Sequence, residues 1–144
     1  MLSAPAQSSA PILPSNSVGT EYYWSSGADG RLRILQCGAC GYYIHPPSPV
    51  CPRCLSFDVA PHPVSGRGKV YSFTINQHRW FEEFDLPYCV AMVHLDEQEG
   101  LRVISNIIDC EPEEVRIGLP VQVVLQPVGE YFIPLFAPIE GDAE

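Results

Sequence analysis

Apolar and polar positions alternate most clearly in the second half of the chain. The segment KVYSFTINQH, residues 69–78, switches between the two classes at almost every step. A period of two is typical of a strand that has one buried face and one solvent-exposed face. We therefore predict a half-buried strand here, with one face formed by Tyr71, Phe73 and Ile75.

Four more strands follow in the pattern. PYCVAMVHLD and GLRVISNIID are β-branched and apolar, and DEQEG between them is typical of a five-residue hairpin loop. PVQVVLQPV and EYFIPLFAP supply the last two strands, and Pro134 inside the final one predicts a sheet edge. EPEEVRIG predicts one short helix, with Pro112 at its first position and Gly118 past its end. Five short strands with a helix between the third and fourth predict a small closed Greek-key barrel of the OB type.

The first sixty residues follow no such alternation. Residues 1–18 are rich in Pro, Ser and Ala and predict a disordered or strapped-down arm. TEYYWSSGADG predicts a short helix that Thr20 caps and that Gly27 or Gly30 ends. Its three adjacent aromatics cannot share one face, so they are predicted either to cover neighbouring structure or to dock outside the chain. RLRILQC leads a strand into the cysteine-rich segment, and SFDVAPHPVSGRG leaves that segment through turn-forming residues.

The chemistry of the chain is concentrated in CGACGYYIHPPSPVCPRC, residues 37–54. Two Cys-x-x-Cys turns this close favour a metal over disulfides in a reducing compartment, because each turn presents two thiolates to one ion. The predicted ligands are Cys37, Cys40, Cys51 and Cys54. Zn²⁺ suits such a cage, and because four thiolates leave no open position, the predicted site is structural rather than catalytic.

Some alternatives stay open at this point. Iron fits the same four-sulfur cage, and CPRC could serve as a redox dithiol. His45 lies between the two turns as a further candidate ligand, although four sulfurs already complete the coordination sphere. Cys89 and Cys110 sit in apolar runs and are interpreted as buried hydrophobic residues rather than nucleophiles.

Together these patterns predict a mainly β protein in which a zinc ribbon packs against a five-stranded OB barrel. The segment limits that follow are an arm at 1–18, a short helix at 19–30, the ribbon at 31–62, the barrel at 66–138 and an acidic tail at 139–144. No apolar run reaches the length of a membrane span, and the amino-terminal segment lacks the features of a signal peptide. A cytoplasmic location is the expectation.

Charge narrows the choice of partners. All of the net charge of −9 lies in residues 61–144, which hold five basic and fourteen acidic side chains. An acidic domain repels phosphate backbones and anionic lipid surfaces, so nucleic acid and membrane are disfavoured as partners.

The residues offer little that resembles a catalytic group. The chain contains no nucleophile elbow, P-loop or dinucleotide fingerprint, and its four histidines show no partner arrangement in the sequence. The segment NQHRWFEEFDLPY instead places aromatic side chains in a loop between two strands. These residues are predicted either to fold over the barrel end or to form a surface for a protein partner or an acyl-CoA. They are Arg79, Trp80, Phe81 and Phe84.

The chain resembles an acyl-CoA-associated family, once classed as a domain of unknown function, that joins an N-terminal helix, a rubredoxin-like zinc ribbon and a C-terminal OB fold. Four stretches carry the likeness over about residues 20–138. They are GRLRILQCGACGYYIHPPSPVCPRC, GRGKVYSFTINQHRWF, PYCVAMVHLDEQEGLRVISNI and EEVRIGLPVQVV.

The resemblance implies a non-catalytic subunit of a hetero-oligomer. Members of the family assemble with thiolase-superfamily enzymes, including thiolases and retro-aldolases that act on steroid or other bulky acyl-CoA thioesters. They stabilise the enzyme and help to shape its acyl-CoA channel. The four cysteines match the family's zinc ligands, and the family supplies no catalytic residue to carry over. The alternatives are a stand-alone carrier of acyl-CoA or lipid and a single-stranded nucleic-acid binder.

Overall fold

The computed structural model describes residues 19–80, Glu82 and residues 85–139. The predicted arm, all of the acidic tail beyond Ile139, and Phe81 and Phe84 lie outside the described residues. The described part is mainly β, with two strand systems that follow one another along the chain. The predicted fold class is confirmed, whereas the segment limits drawn from the sequence stay a prediction.

The first element of the described residues is a short helix, α1 (Glu21–Ser25), which continues as a 3-10 turn over Ser26–Asp29. Thr20 occupies the N-cap position, but its side chain makes no capping hydrogen bond. Gly30 ends the segment with a φ of 80°, a left-handed conformation that glycine adopts without strain. The buried hydroxyl of Ser26 donates to the Tyr22 carbonyl at 2.8 Å and accepts from the Arg33 amide at 3.1 Å. That hydroxyl ties the helix to the strand that follows.

The ribbon is a three-stranded antiparallel sheet in the order β2-β1-β3. Its strands are β1 (Arg33–Cys37), β2 (Tyr43–Ile44) and β3 (Val59–Pro63). The sequence interpretation missed β3, which lies in the segment predicted to be turns. Strand β3 tolerates Pro61 and Pro63 because it is an edge strand. These two positions, which have no N–H group, face away from β1, and the alternate residues direct their amides to the side of β1. The amide of Val64, which continues that side, donates to the Leu32 carbonyl at 2.9 Å.

The barrel is closed by five strands in the order β4-β5-β6-β8-β7, with β7 returning to β4. They are β4 (Arg67–Asn76), β5 (Tyr88–Leu95), β6 (Arg102–Ile107), β7 (Pro120–Val128) and β8 (Tyr131–Pro138). Burial alternates along β5 and along β6, as the pattern predicts. Five strands with a helical turn between the third and fourth are therefore confirmed.

Three details of the barrel differ from the sequence prediction. Tyr71 does not share a face with Phe73, because a β-bulge between Val70 and Ser72 shifts the register and leaves Tyr71 48% exposed. The predicted helix shrinks to a 3-10 turn over Pro112–Glu114, since the next residue is extended and buried in the core.

The third detail is the seam at which the last strand meets β6. Pro134 lies inside a closed barrel rather than at an open edge. The strands β6 and β8 nevertheless share only the pair Ile107 and Phe136 there. Near this seam the Ser105 hydroxyl donates to the Pro134 carbonyl at 2.7 Å, so a side chain supplies the hydrogen bond that a strand ladder would otherwise make.

Strand β1 and helix α1 connect two hydrophobic cores, one in the barrel and one in the ribbon. Side chains on alternate faces of β1 enter different clusters: Ile34 packs with the barrel interior, whereas Leu35 packs with the cysteines of the ribbon. Tyr23 of α1 is buried in the same cluster as Ile34, and Tyr22 packs against both clusters. The aromatic residues of α1 therefore cover structure within this chain, which was one of the two predicted roles.

A glutamine in the β5–β6 loop fastens the ribbon to the barrel. The Gln98 side-chain oxygen accepts from the Tyr43 amide at 2.8 Å, and its side-chain nitrogen donates to the Tyr43 carbonyl at 3.0 Å. Gln98 thus occupies the open edge of β2 as a neighbouring strand would. The adjacent Glu97 accepts from the Ser65 amide at 2.7 Å. Two residues of one loop hold both the ribbon and the segment that leads into β4.

Candidate functional site

The two Cys-x-x-Cys turns have the same backbone design. In the first turn the Gly41 amide donates to the Cys37 carbonyl at 2.9 Å, and in the second the Leu55 amide donates to the Cys51 carbonyl at 2.8 Å. The fifth residue of each turn has a positive φ, 81° for Gly41 and 67° for Leu55. Leucine in this conformation costs about 1–2 kcal/mol because its Cβ crowds the following carbonyl. The Leu55 side chain is 71% exposed.

The turns bring the four predicted ligands together. All four sulfurs lie within 4.8 Å of one another, with Cys37 and Cys54 at 3.6 Å and Cys40 and Cys51 at 3.7 Å. A tetrahedral ion with bonds of about 2.3 Å to sulfur needs sulfur separations of about 3.8 Å. The first cysteine of each turn is buried and the second is exposed. The donor set and its spacing therefore fit a structural metal ion.

The protein backbone favours thiolate at this cluster. Backbone N–H groups of Cys40 and Ala39 lower the pKa of the Cys37 thiol to about 7, against the effect of burial. The Arg53 amide also points at the Cys51 sulfur, at 3.3 Å. At Cys54 the Ser56 amide lowers the pKa, but the hydrogen bond to Cys37 and burial outweigh it and raise the pKa to about 12. A bound cation would take these sulfurs as thiolates, so metal binding would release the protons that they carry.

His45 does not belong to this cluster. Its ring stacks on Tyr23 with centroids 5.3 Å apart, and burial lowers its pKa below the usual value. Cys89 lies in the barrel core and Cys110 packs against that core, and burial raises the pKa of both thiols. A thiol with a raised pKa is a poor nucleophile at neutral pH.

The loop after β4 holds the other predicted site. The Trp80 indole N–H donates to the Asn76 side-chain oxygen at 3.1 Å, and its ring meets His78 edge-on at 4.4 Å. Trp80 is nevertheless 64% exposed, and Arg79 donates to the Glu82 carbonyl at 3.3 Å. With Phe81 and Phe84 outside the described residues, the role of this loop as a partner or acyl-CoA surface stays a prediction.

Sequence reasoning missed the exposed apolar side chains of the second cysteine turn. Leu55, which follows Cys54 in the chain, and Phe57, which is 79% exposed, both lie on the ribbon surface. A comparison of CGACG with CPRCL would have pointed to Leu55, because it holds the place of a glycine. Large apolar side chains left in water beside a rigid metal site are typical of protein contact surfaces.

Profiles of known families match both halves of this architecture. The ChsH2 rubredoxin-like zinc ribbon domain matches residues 24–60, and the ChsH2 C-terminal OB-fold domain matches residues 61–126. A DUF35 domain-containing scaffold protein of Pyrococcus furiosus is 37% identical over 113 residues, which span 76% of this chain and 79% of the relative. The chain belongs to the DUF35 family.

Two further similarities concern assemblies. A solved chain of the Ltp2-ChsH2(DUF35) aldolase shares 34% identity with this DUF35 chain at a TM-score of 0.79, covering 88% of this chain and 98% of the other. A probable enoyl-CoA hydratase alpha subunit of Thermomonospora curvata is 36% identical over 118 residues. Those residues are 81% of this chain but 36% of that protein, so the DUF35 chain spans about a third of this relative.

Proposed function

We propose that this protein is a non-catalytic accessory subunit of a thiolase-superfamily acyl-CoA enzyme. In this proposal the partner is a thiolase or a retro-aldolase that acts on steroid or other bulky acyl-CoA thioesters. The chain stabilises that enzyme, helps to shape its acyl-CoA channel and works in the cytoplasm. The observation that carries the proposal is the likeness to a chain of the Ltp2-ChsH2(DUF35) aldolase. The likeness covers 98% of that chain and 88% of this one.

The metal centre supports a structural role for the ribbon. A cage of four cysteine sulfurs has no open position at which a substrate or a reactive water could bind. We propose that it holds Zn²⁺, which fits the donor set and the sulfur spacing. Elemental analysis of the purified chain tests the choice of metal. We expect one zinc ion per chain, whereas one iron ion per chain would contradict the proposal.

The surface supports attachment to a partner. Leu55, Phe57 and Trp80 are each more than 60% exposed, and the apolar area that they present would be desolvated by a docked subunit. Tryptophan and large apolar side chains in a rigid setting are common anchors of protein interfaces. The two exposed sets lie on the ribbon and on the loop after β4, so each can be tested on its own.

The proposal is tested by assembly. The tagged full chain, expressed at native level in its own cells, should elute with a thiolase-fold protein at a fixed ratio, identified by mass spectrometry. Phe57→Ser or Trp80→Ser should weaken that assembly, whereas Thr74→Ala, at an exposed polar position of β4, should leave it unchanged. Elution of the wild-type chain alone would refute the proposal.

Catalysis by the isolated chain is a separate test. The purified metal-loaded protein should release no CoA thiol from acyl-CoA thioesters above the rate of the uncatalysed reaction. Turnover that survives purification of the chain would contradict the proposed non-catalytic role.

A further inference from the structure

A cleft opens where the helix, the ribbon and the barrel meet. It has a volume of about 490 Å³ and is bordered by α1, by the ribbon loop around His45 and by the outer face of β5 and β6. Pockets of about 300–1,000 Å³ are the usual size for small-molecule ligands. None of the described residues that line it is a cysteine of the metal cluster or belongs to the loop around Trp80.

The walls of the cleft are aromatic and apolar. Tyr23 stacks on the His45 ring at 5.3 Å and meets Trp24 edge-on at 4.9 Å, which makes one rigid wall. Met92 and Ile104, which pair across β5 and β6, form the opposite side. Ile104 is 60% exposed, although it stands in the middle of a strand. A ligand with an apolar body would cover it.

The charge of the cleft is opposite to that of the protein. Arg102 is the only residue with a fixed charge among the described residues that line it, and no acidic residue borders it there. The chain as a whole has a net charge of −9, so an uncompensated cation in a cleft is unusual for it. The Arg102 guanidinium carbon lies 3.9 Å from the centre of the Tyr71 ring, which is a cation–π contact.

Two buried nitrogen atoms at this cleft have no hydrogen-bond partner among the described residues. They are Nε of Arg102 and Nδ1 of His45. Buried polar atoms in native proteins are nearly always paired, and an unpaired one costs about 1–3 kcal/mol. Both belong to residues that line the cleft, and both atoms are closed off from solvent, so a ligand would reach the other polar atoms of these side chains.

We propose that this cleft binds a small amphipathic anion, which has a ring-like or branched apolar body and one carboxylate or sulfonate group. The apolar body packs between the Tyr23–Trp24 wall and Ile104, and the anionic group pairs with Arg102. This site is independent of the proposed assembly, because it lies within one chain. It would make the subunit a ligand-binding protein in addition to a scaffold.

The test uses two fluorescent probes with one shared ring system. 8-Anilinonaphthalene-1-sulfonate has the anionic group, and N-phenyl-1-naphthylamine lacks it. Each is titrated into the full, metal-loaded chain, and calorimetry gives the stoichiometry. We expect one site per chain that prefers the sulfonate. Arg102→Met should weaken sulfonate binding by about 10- to 100-fold, the usual value of a hydrogen bond to a charged group, and leave the neutral probe within about twofold.

Two further variants make the result decisive. Arg116→Met removes the same charge from an exposed position outside the cleft and should change neither probe. Ile104→Thr keeps a β-branched residue on the strand and should weaken both probes by a similar factor, and it decides the matter if Arg102→Met does not fold. Equal sulfonate binding by Arg102→Met and Arg116→Met, or neutral-probe binding unaffected by Ile104→Thr, would overturn the proposal. Failure here leaves the assembly experiment intact, and the reverse also holds.

Discussion

Replacing Gln98 by alanine should loosen the ribbon from the barrel. The substitution removes both hydrogen bonds to the Tyr43 backbone, at 2.8 and 3.0 Å, which join residues 55 positions apart. Each such bond contributes about 1 kcal/mol net, so the free energy of unfolding should fall by about 2 kcal/mol. The loss should approach about 3 kcal/mol if the Tyr43 groups stay shielded from water, since an unpaired buried group keeps its full desolvation cost.

Urea denaturation of the metal-loaded protein measures the global effect, and hydrogen exchange at the Tyr43 amide measures the local one. The alanine variant should expose that amide to exchange even where the barrel amides stay protected. Glu99→Ala in the same loop is the matched control, because Glu99 is exposed and surface substitutions usually stay within about 0.5 kcal/mol.

A second substitution separates the two hydrogen bonds. Gln98→Glu keeps the acceptor for the Tyr43 amide but places a carboxylate oxygen against the Tyr43 carbonyl. The introduced carboxyl should have a raised pKa in the folded state, because only its protonated form can donate. Its penalty is therefore present at pH 7 and is relieved as the pH falls through that raised pKa. If both Gln98 variants match Glu99→Ala, the two hydrogen bonds contribute nothing to stability and apolar packing alone sets the position of the ribbon.

Three further predictions concern single sites. Cys51→Ser should release the metal and unfold the ribbon, because metal binding and folding are coupled in such sites; elemental analysis with circular dichroism checks this, and retained metal would contradict it. Burial lowers the pKa of His45 in the folded protein, so its contribution to stability is complete above about pH 6.5 and is lost as the pH falls toward the folded pKa. His45→Asn should flatten this part of the pH profile of the melting temperature. An unchanged slope would contradict the prediction. Gly27→Ala should lower the free energy of unfolding by about 1–3 kcal/mol, because the added Cβ would overlap the Phe132 side chain. Ala28→Ser, at an exposed neighbouring position, is the control, and equal melting temperatures of the two variants would show that Phe132 moves freely.

The barrel strands were predictable because the alternation of apolar and polar residues lies within each strand's own sequence. A strand that faces a core on one side must alternate, so β5 and β6 could be read from their sequences, including the buried Cys89. The metal cluster was predictable for the same reason, since each Cys-x-x-Cys turn is complete within five residues. The OB assignment followed from the number of strands and the place of one helical turn.

The features that sequence reasoning missed depend on partners distant in the chain. The bulge at Tyr71 is defined only against β5, and β3 became a strand because β1 offers it an edge. Nothing in DEQEG reveals that Gln98 pairs with Tyr43, because a glutamine in a hairpin loop is ordinarily solvated. The cleft around Arg102 likewise forms only after helix, ribbon and barrel come together.

Strand β1 has a consequence for how this protein can change. Its neighbouring residues Ile34 and Leu35 face opposite ways, one into the barrel and one toward the cysteines. A size change at Ile34 can be compensated only from the barrel, and a change at Leu35 only from the ribbon. Neither the ribbon nor the barrel can then be replaced by an unrelated domain through a simple cut at the domain boundary. The replacement would need a β1 strand with one face that packs into the barrel core and another that packs against the cysteines.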